Sequence, residues 1–336
     1  MGFKLVTIPR EYLGRWLGSL NRRVAMVVFK ENLKKAEELT ISLTEREIIF
    51  STVESGTILK WLLENGFHES FIEDIKSEEQ TVTFENEERF KLIIFKYIGF
   101  DGEERLLYSD SNIVLIVTEN KFFVLGEERE IIVEMARKFS KRYKGGFDFE
   151  NLFYLIADIL IDTTILMVDV IDSTLEDMED AIFRGDIEEG ELQKDIYYAR
   201  RTLNRISKIV VQEREVIRKV YNTFSSQKRE ELKYEFIDLQ EHLKYLIDET
   251  RTLLDRTGYL LNLYMGLLST KMNKAMQRLA GISILFMPIT FIAGVYGTNF
   301  HYLPEIEWKY GYLYFWGVVG VILILTFLWL KRERLI

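Results

Sequence analysis

The spacing of apolar and polar positions changes character along the chain. From about residue 20 to residue 126, short runs rich in β-branched and aromatic residues mix with helical stretches. Strands are predicted at 24–29, 47–51, 81–85, 90–98, 112–117 and 121–125, and helices near 57–64 and 69–75, which makes an α/β domain. Gly145 and Gly146 mark a hinge, after which helical sequence begins. Residues 147–183, 188–224 and about 228–296 then read as long helices, with charge-rich faces alternating with apolar positions as in a helical bundle or coiled coil.

The last sixty residues follow a third pattern. No Asp, Glu, Lys or Arg lies between Arg278 and Glu305, and the run 279–296 (LAGISILFMPITFIAGVY) is almost wholly apolar. A second uncharged run, 310–330, lies between Lys309 and Lys331. A helix crossing the hydrocarbon core needs about 20 such residues. Two buried helices of a soluble core are the alternative, but soluble helices seldom lack charge on every face. Tyr302, Trp308, Tyr310, Tyr312, Tyr314 and Trp316 cluster at one boundary and Trp329 marks the other. Lys271, Lys274 and Arg278 precede the first run, and Lys331, Arg332 and Arg334 follow the second, whereas the connecting loop holds only Lys309. The positive-inside rule therefore puts both termini in the cytoplasm and the loop outside.

Composition sharpens this division. The 336 residues allow two or three domains. Mean hydropathy is near zero, and with 29% charged and 48% hydrophobic residues the chain is neither disordered nor a many-span membrane protein. The average hides two unlike parts. Of 44 basic and 53 acidic residues, four and three lie beyond residue 278, leaving the first 278 residues with a net charge of −10. Cysteine is absent, which excludes disulfide scaffolds and thiolate chemistry. Prolines stand only at 9, 288 and 304, so nothing between Pro9 and Pro288 forces a helix to stop. The amino terminus has no apolar run long enough for a signal peptide and is expected to stay in the cytoplasm. There is no phosphate-binding glycine loop. His68, His242 and His301 are scattered, so neither a catalytic site nor a histidine metal site is expected.

The first apolar run carries a narrow stripe of small and polar groups. Alternating steps of three and four residues give Asn273, Met276, Ala280, Ser283, Met287, Thr290 and Gly294. The other side holds Ile282, Leu285, Phe286, Ile289 and Ile292. A dry helix-packing seam and a pore lining are both open readings of such a stripe. A pore requires an oligomer, because two spans cannot enclose one.

At its outer end this helix runs into GVYGTNF, residues 294–300. From MNKAMQRL through FMPITFIAGVYG and Asn299-Phe300 to YLPEIEWKYGY, residues 272–312, the chain resembles the CorA family of divalent-cation channels. A weaker likeness extends back through the rest. One departure is prominent: the family signature is Gly-Met-Asn, and this chain has Gly297-Thr298-Asn299. In the family's zinc-transporting branch the middle position can also differ, while Pro304-Glu305 looks like the magnesium and cobalt branch.

The resemblance implies an α+β membrane protein assembled as a funnel-shaped ring of five copies in the cytoplasmic (inner) membrane. An N-terminal cytoplasmic α/β domain (1–145) would be followed by a helical bundle and stalk (146–278), continuous with the first of two transmembrane helices (about 279–297 and 310–330). The external loop is 298–309. Such a channel would admit Mg²⁺, with Co²⁺, Ni²⁺ or Zn²⁺ as further candidates. Mg²⁺ sheds its waters reluctantly, so Gly297, Thr298 and Asn299 would select a hydrated ion, with Glu305 as a nearby acidic attractor. Asn273, Leu279, Ala280, Ser283, Met287, Thr290 and Gly294 would line the path, Leu279 and Met287 forming its apolar constriction. Glu73, Asp74, Asp158 and Asp238 match the residues with which the family binds regulatory divalent ions between neighbouring cytoplasmic domains. Internal Mg²⁺ would then close the channel, transmitted along a helix that from Asp238 to Asn299 would span about 90 Å. Neither enzymatic activity, an organic cofactor nor nucleic-acid binding is implied. The alternatives are a zinc transporter of the related branch and a membrane-tethered coiled-coil scaffold that conducts nothing.

Overall fold

The computed structural model describes residues 26–30, 46–77, 80–100, 108–185, 190–298 and 304–333. Two compact units emerge, 1–260 and 261–336.

In the first unit, six strands form one sheet: β1 (Met26–Lys30), β2 (Glu47–Thr52), β3 (Thr83–Asn86), β4 (Lys91–Phe100), β5 (Tyr108–Val117) and β6 (Lys121–Gly126). Their spatial order is β1-β2-β6-β5-β4-β3. Among the described residues only β2 and β6 run parallel, in the register Ile49 opposite Phe123 and Phe50 opposite Val124; the other pairs are antiparallel. Helices cover both faces. Ile49, Ile94, Val114, Ile116, Phe123 and Leu125 pack with Ile58 and Leu62 of α1 (Gly56–Glu64) and with Ile72 and Ile75 of α2 (Glu69–Lys76). On the opposite face Phe50 meets Phe139 of α3 (Arg129–Arg142) at 5.2 Å, and Phe95 meets Phe153 of α4 (Phe149–Arg184) at 6.0 Å. A sheet buried on both sides has strands that read as continuous apolar runs, which is why β2 and β6 show no polar alternation.

Several boundaries differ from the sequence expectations, most at β5, in α3 and near residue 228. β5 starts at Tyr108, four residues early, because Tyr108 to Ser111 pair with Tyr97 to Phe100 despite their polarity. Helix α3 precedes the two glycines, so helical sequence begins before them. Its Ile131, Ile132, Met135, Ala136 and Phe139 form an apolar stripe that the many charges of REIIVEMARKFSKR conceal. Gly145 and Gly146 do have the positive φ of a chain reversal, 108° and 93°. The stretch expected from residue 228 divides into α6 (Ser226–Glu231) and α7 (Lys233–Tyr296), and α7 ends three residues before Asn299.

Helices α4, α5 (Glu191–Asn222) and the start of α7 meet at an aromatic knot. Phe236 lies 6.3 Å from Phe153, 4.6 Å from Tyr221 and 5.3 Å from Phe224. Farther along, Arg256 of α7 binds Asp172 (2.7 Å) and Glu179 (2.9 Å) of α4. Helix α4 stops at Gly185, whose left-handed conformation lets its N–H reach Ala181 O at 3.0 Å.

Glu213 of α5 is 3% exposed and accepts the Lys96 N–H of β4 at 3.3 Å. Burial pushes its carboxyl up to about 8. The folded state thus favours the neutral acid, a contribution complete below the ordinary value near 4.5 and lost as pH rises through 8. Glu213→Gln should match the native melting temperature at pH 5 and exceed it by about 5 °C at pH 8.5. A pH-independent difference in thermal scans would contradict this account.

Candidate functional site: an acidic cluster and a polar stripe

Arg142, in the last turn of α3, reaches α4 and spans two carboxylates one helical turn apart. Its Nη1 donates to Asp158, and its Nη2 donates to Asp162 Oδ2 at 2.5 Å. Residues i and i+4 share a helix face, so the planar guanidinium can hold both at once. From α7, His242 brings an imidazole nitrogen to this pair; ligand atoms of Asp158, Asp162 and His242 all lie within 4.8 Å of one another. His242 Nε2 is 3.8 Å from Asp238 Oδ1, again one turn apart. Burial pushes the Asp158 carboxyl above its usual range; Asp162 and Asp238 add to this, while Arg142 and His242 oppose it. The Tyr154 hydroxyl is pushed up to about 12 by burial and by Asp158, Asp238 and Glu235. This is a concentrated negative field with one guanidinium inside it, and a divalent cation could bridge the same oxygens.

The structure thus brings Asp158 and Asp238 together. Glu73 and Asp74 stand exposed on α2, and their carboxylates make no ion pair or hydrogen bond among the described residues. Sequence reading missed Arg142, Asp162 and His242. No histidine metal site was expected, yet the imidazole of His242 lies beside two carboxylates, in a group that could hold a metal ion, because α7 packs there. The signal was present in the i, i+4 spacings Asp158/Asp162 and Asp238/His242.

In the second unit, α7 and α9 (Gly311–Arg332) are each long and apolar enough to cross a membrane. Within 279–296 of α7 the half-buried positions are Ile284, Leu285, Pro288, Ile289, Ile292 and Tyr296, on one side of the helix, and Tyr296 meets Phe315 of α9 edge-on at 5.4 Å. Asn273, Ala280, Ser283, Met287, Thr290 and Gly294 lie on the opposite side and are exposed. Leu279 (67% exposed) falls off this stripe, whereas Met287 (68%) is on it. The hydroxyls bond to their own helix: Ser283 to Leu279 O at 3.1 Å and Thr290 to Phe286 O at 3.0 Å. Pro288 brings no N–H to the carbonyl of Ile284.

The helix closes with Gly297 N–H on Ala293 O at 2.9 Å, followed by Thr298, whose Oγ1 donates to Val295 O at 2.5 Å. Asn299 lies outside the described residues. Glu305 belongs to the short α8 (Pro304–Glu307), and its side chain is also outside them. Trp308 packs with Tyr310 and Tyr314, and Tyr312 with Trp316, at ring separations of 5.8–6.4 Å.

Two charge-free helical stretches, 279–296 and 311–330, together with a charged α/β and helical unit define an integral membrane protein whose bulk is built for water. The family model described as CorA-like Mg²⁺ transporter protein matches residues 48–332, and the chain belongs to that family. It is 29% identical over 273 residues to the cobalt/magnesium transport protein CorA of Thermotoga maritima, covering 80% of this chain and 77% of that one. Its fold matches the complete CorA magnesium transporter from Methanocaldococcus jannaschii with a TM-score of 0.78 at 20% identity, over 94% of this chain and 99% of that one. The cytoplasmic domain of ZntB from Vibrio parahaemolyticus matches with a TM-score of 0.58 at 12% identity, over 74% and 100% of the two chains.

Proposed function

We propose that five copies of this chain form an inner-membrane channel for Mg²⁺, with Co²⁺ and Ni²⁺ as further permeant ions, closed by intracellular Mg²⁺. The observation that carries this reading is the exposed stripe of small and polar groups opposite the half-buried side of α7. Such a stripe is suited to a shared axis, where lipid-facing positions would be larger and apolar. Asn299 and the carbonyls around Gly297 would accept hydrogen bonds from the water shell of a Mg²⁺ ion, sparing the cost of dehydration. Glu305 would raise the local cation concentration at the outer mouth. An inside-negative potential supplies about 2.3 kcal/mol per charge per 100 mV, so no ATP is required. Both termini would lie in the cytoplasm.

On the cytoplasmic side, carboxylates at Asp158, Asp238, Glu73 and Asp74 would repel one another until a divalent cation bridges neighbouring copies. Ion binding would then favour the closed ring, and loss of the ion the open one. Mg²⁺, Co²⁺, Ni²⁺ and Zn²⁺ influx into proteoliposomes containing the purified protein tests the reading. Flux of none of them would leave the scaffold alternative, and flux of Zn²⁺ alone the zinc transporter.

The zinc reading has one specific observation in its favour, Thr298 in place of the family's methionine. Its hydroxyl proton is committed to Val295 O, leaving the oxygen's lone pairs free to accept a hydrogen bond from a passing hydrated ion. Thr298→Met should therefore change the ratio of Mg²⁺ to Zn²⁺ flux by about threefold or more, since a small difference in ring acceptors is multiplied by symmetry. Unchanged relative fluxes would show that the position does not tune selectivity.

A further inference from the structure

A cavity of about 440 Å³ opens in the first unit between α1, α2 and the β5–β6 turn. This is within the range of small-ligand sites. One wall is aromatic: Phe67, Phe71 and Phe90 stand 4.9–5.1 Å apart, ring to ring. Trp61, 8% exposed, also lines it, and its Nε1–H has no hydrogen-bond partner among the described residues. A buried N–H left unpaired is rare and costly in a native fold, and an acceptor on a ligand would relieve it.

Two further donors face the cavity. Arg89 reaches it and makes no ion pair among the described residues. His68, Ser70 and Phe71 bring the first turn of α2 to it, and the N-cap His68 makes no side-chain bond to that helix. First-turn N–H groups have no intrahelical acceptor and carry the positive end of the helix dipole. Lys121, which also lines the wall, is already paired with Glu47 at 2.9 Å. Asp74 and Glu119 on the rim are acceptors suited to hydroxyl or amino groups.

We propose that this cavity binds a small organic anion carrying a planar ring, the anionic group at Arg89 and the first turn of α2, and the ring against the phenylalanines. Nucleoside monophosphates and aromatic carboxylates share this chemistry. Asp74 also belongs to the proposed divalent sensor, so a bound anion and a divalent ion at Asp74 would be linked; that clause alone rests on the channel reading.

The test is calorimetric titration of the full chain in nanodiscs, in the presence of chelator so that divalent binding plays no part. Adenosine 5′-monophosphate, phenylacetate and inorganic phosphate are the probes. At least one ring-bearing anion should bind saturably and at least about tenfold more tightly than phosphate. Which of the two binds identifies the source of the anion. Arg89→Gln should weaken that binding by about tenfold, and Trp61→Phe, which keeps a ring and deletes the N–H, by about fivefold. No saturation by either ring-bearing anion at about 5 mM, phosphate binding as tightly as both, or affinities unmoved in both variants would each overturn the proposal. Unchanged circular dichroism of the variants separates loss of the site from loss of the fold.

Discussion

Asn299→Ala should abolish divalent-cation uptake while leaving the oligomer intact. In a ring of five copies the substitution removes five amide carbonyls at once, so a modest loss per contact is multiplied by the symmetry. A hydrogen bond to a charged partner contributes about 1.5–3 kcal/mol. Even a fraction of that at each of five positions lowers flux by about 100-fold or more. Assembly should survive, because the apolar face of α7 and the whole first unit are untouched. The measurement is Mg²⁺-sensitive dye fluorescence in proteoliposomes, with the oligomer sized by light scattering. Native flux through correctly assembled Asn299→Ala would remove this residue from the filter. Loss of assembly would instead give it a structural role.

Much of the fold could be read from the residues because burial dictates the pattern. Ile48, Ile49 and Phe50 in β2 and Phe122 to Leu125 in β6 are buried almost completely, and a strand covered on both faces cannot hide in a sequence. The two membrane helices were legible for the same reason in reverse, since a helix about 20 residues long that meets water on any side carries charge there. What escaped was structure held by partners distant in sequence. Tyr108 to Ser111 are strand only because β4 lies beside them. Arg142, Asp162 and His242 form a cluster only because α3, α4 and α7 converge, and no local periodicity reports convergence. The small-residue stripe was readable from Asn273 to Gly294, but the side it takes, opposite the half-buried one, required the helix pair itself. Carboxylates were the least legible: Glu73 and Asp238 look alike in sequence, and only Asp238 is found near Asp158.

Arg142→Gln and Asp238→Ala should shift the divalent sensitivity of closure in opposite directions. In the described chain the Asp158 and Asp162 carboxylates are held by the Arg142 guanidinium, a tethered cation occupying the place a divalent ion would take. Removing it does two things: it frees two oxygen ligands, and it deletes a repulsive charge. A unit charge at about 4 Å interacts with roughly 4 kcal/mol at an effective dielectric of 20, before the salt and water that reach this half-exposed site reduce it. About 1.5–3 kcal/mol is a reasonable remainder, so Arg142→Gln should close at a Mg²⁺ concentration about 10- to 100-fold lower than native. Asp238→Ala removes a ligand and a negative charge without affecting the guanidinium, and should raise open probability at any given internal Mg²⁺. Single-channel or vesicle-flux recordings across a Mg²⁺ series read both shifts, and Mg²⁺-dependent protection from proteolysis reads them without conduction. If both variants lose sensitivity, Arg142 is a structural clamp that holds α3 to α4 and the cluster does not act as a sensor through competition. If the shift in the double variant departs from the sum of the two single shifts, the two charges act on one site, because independent positions add.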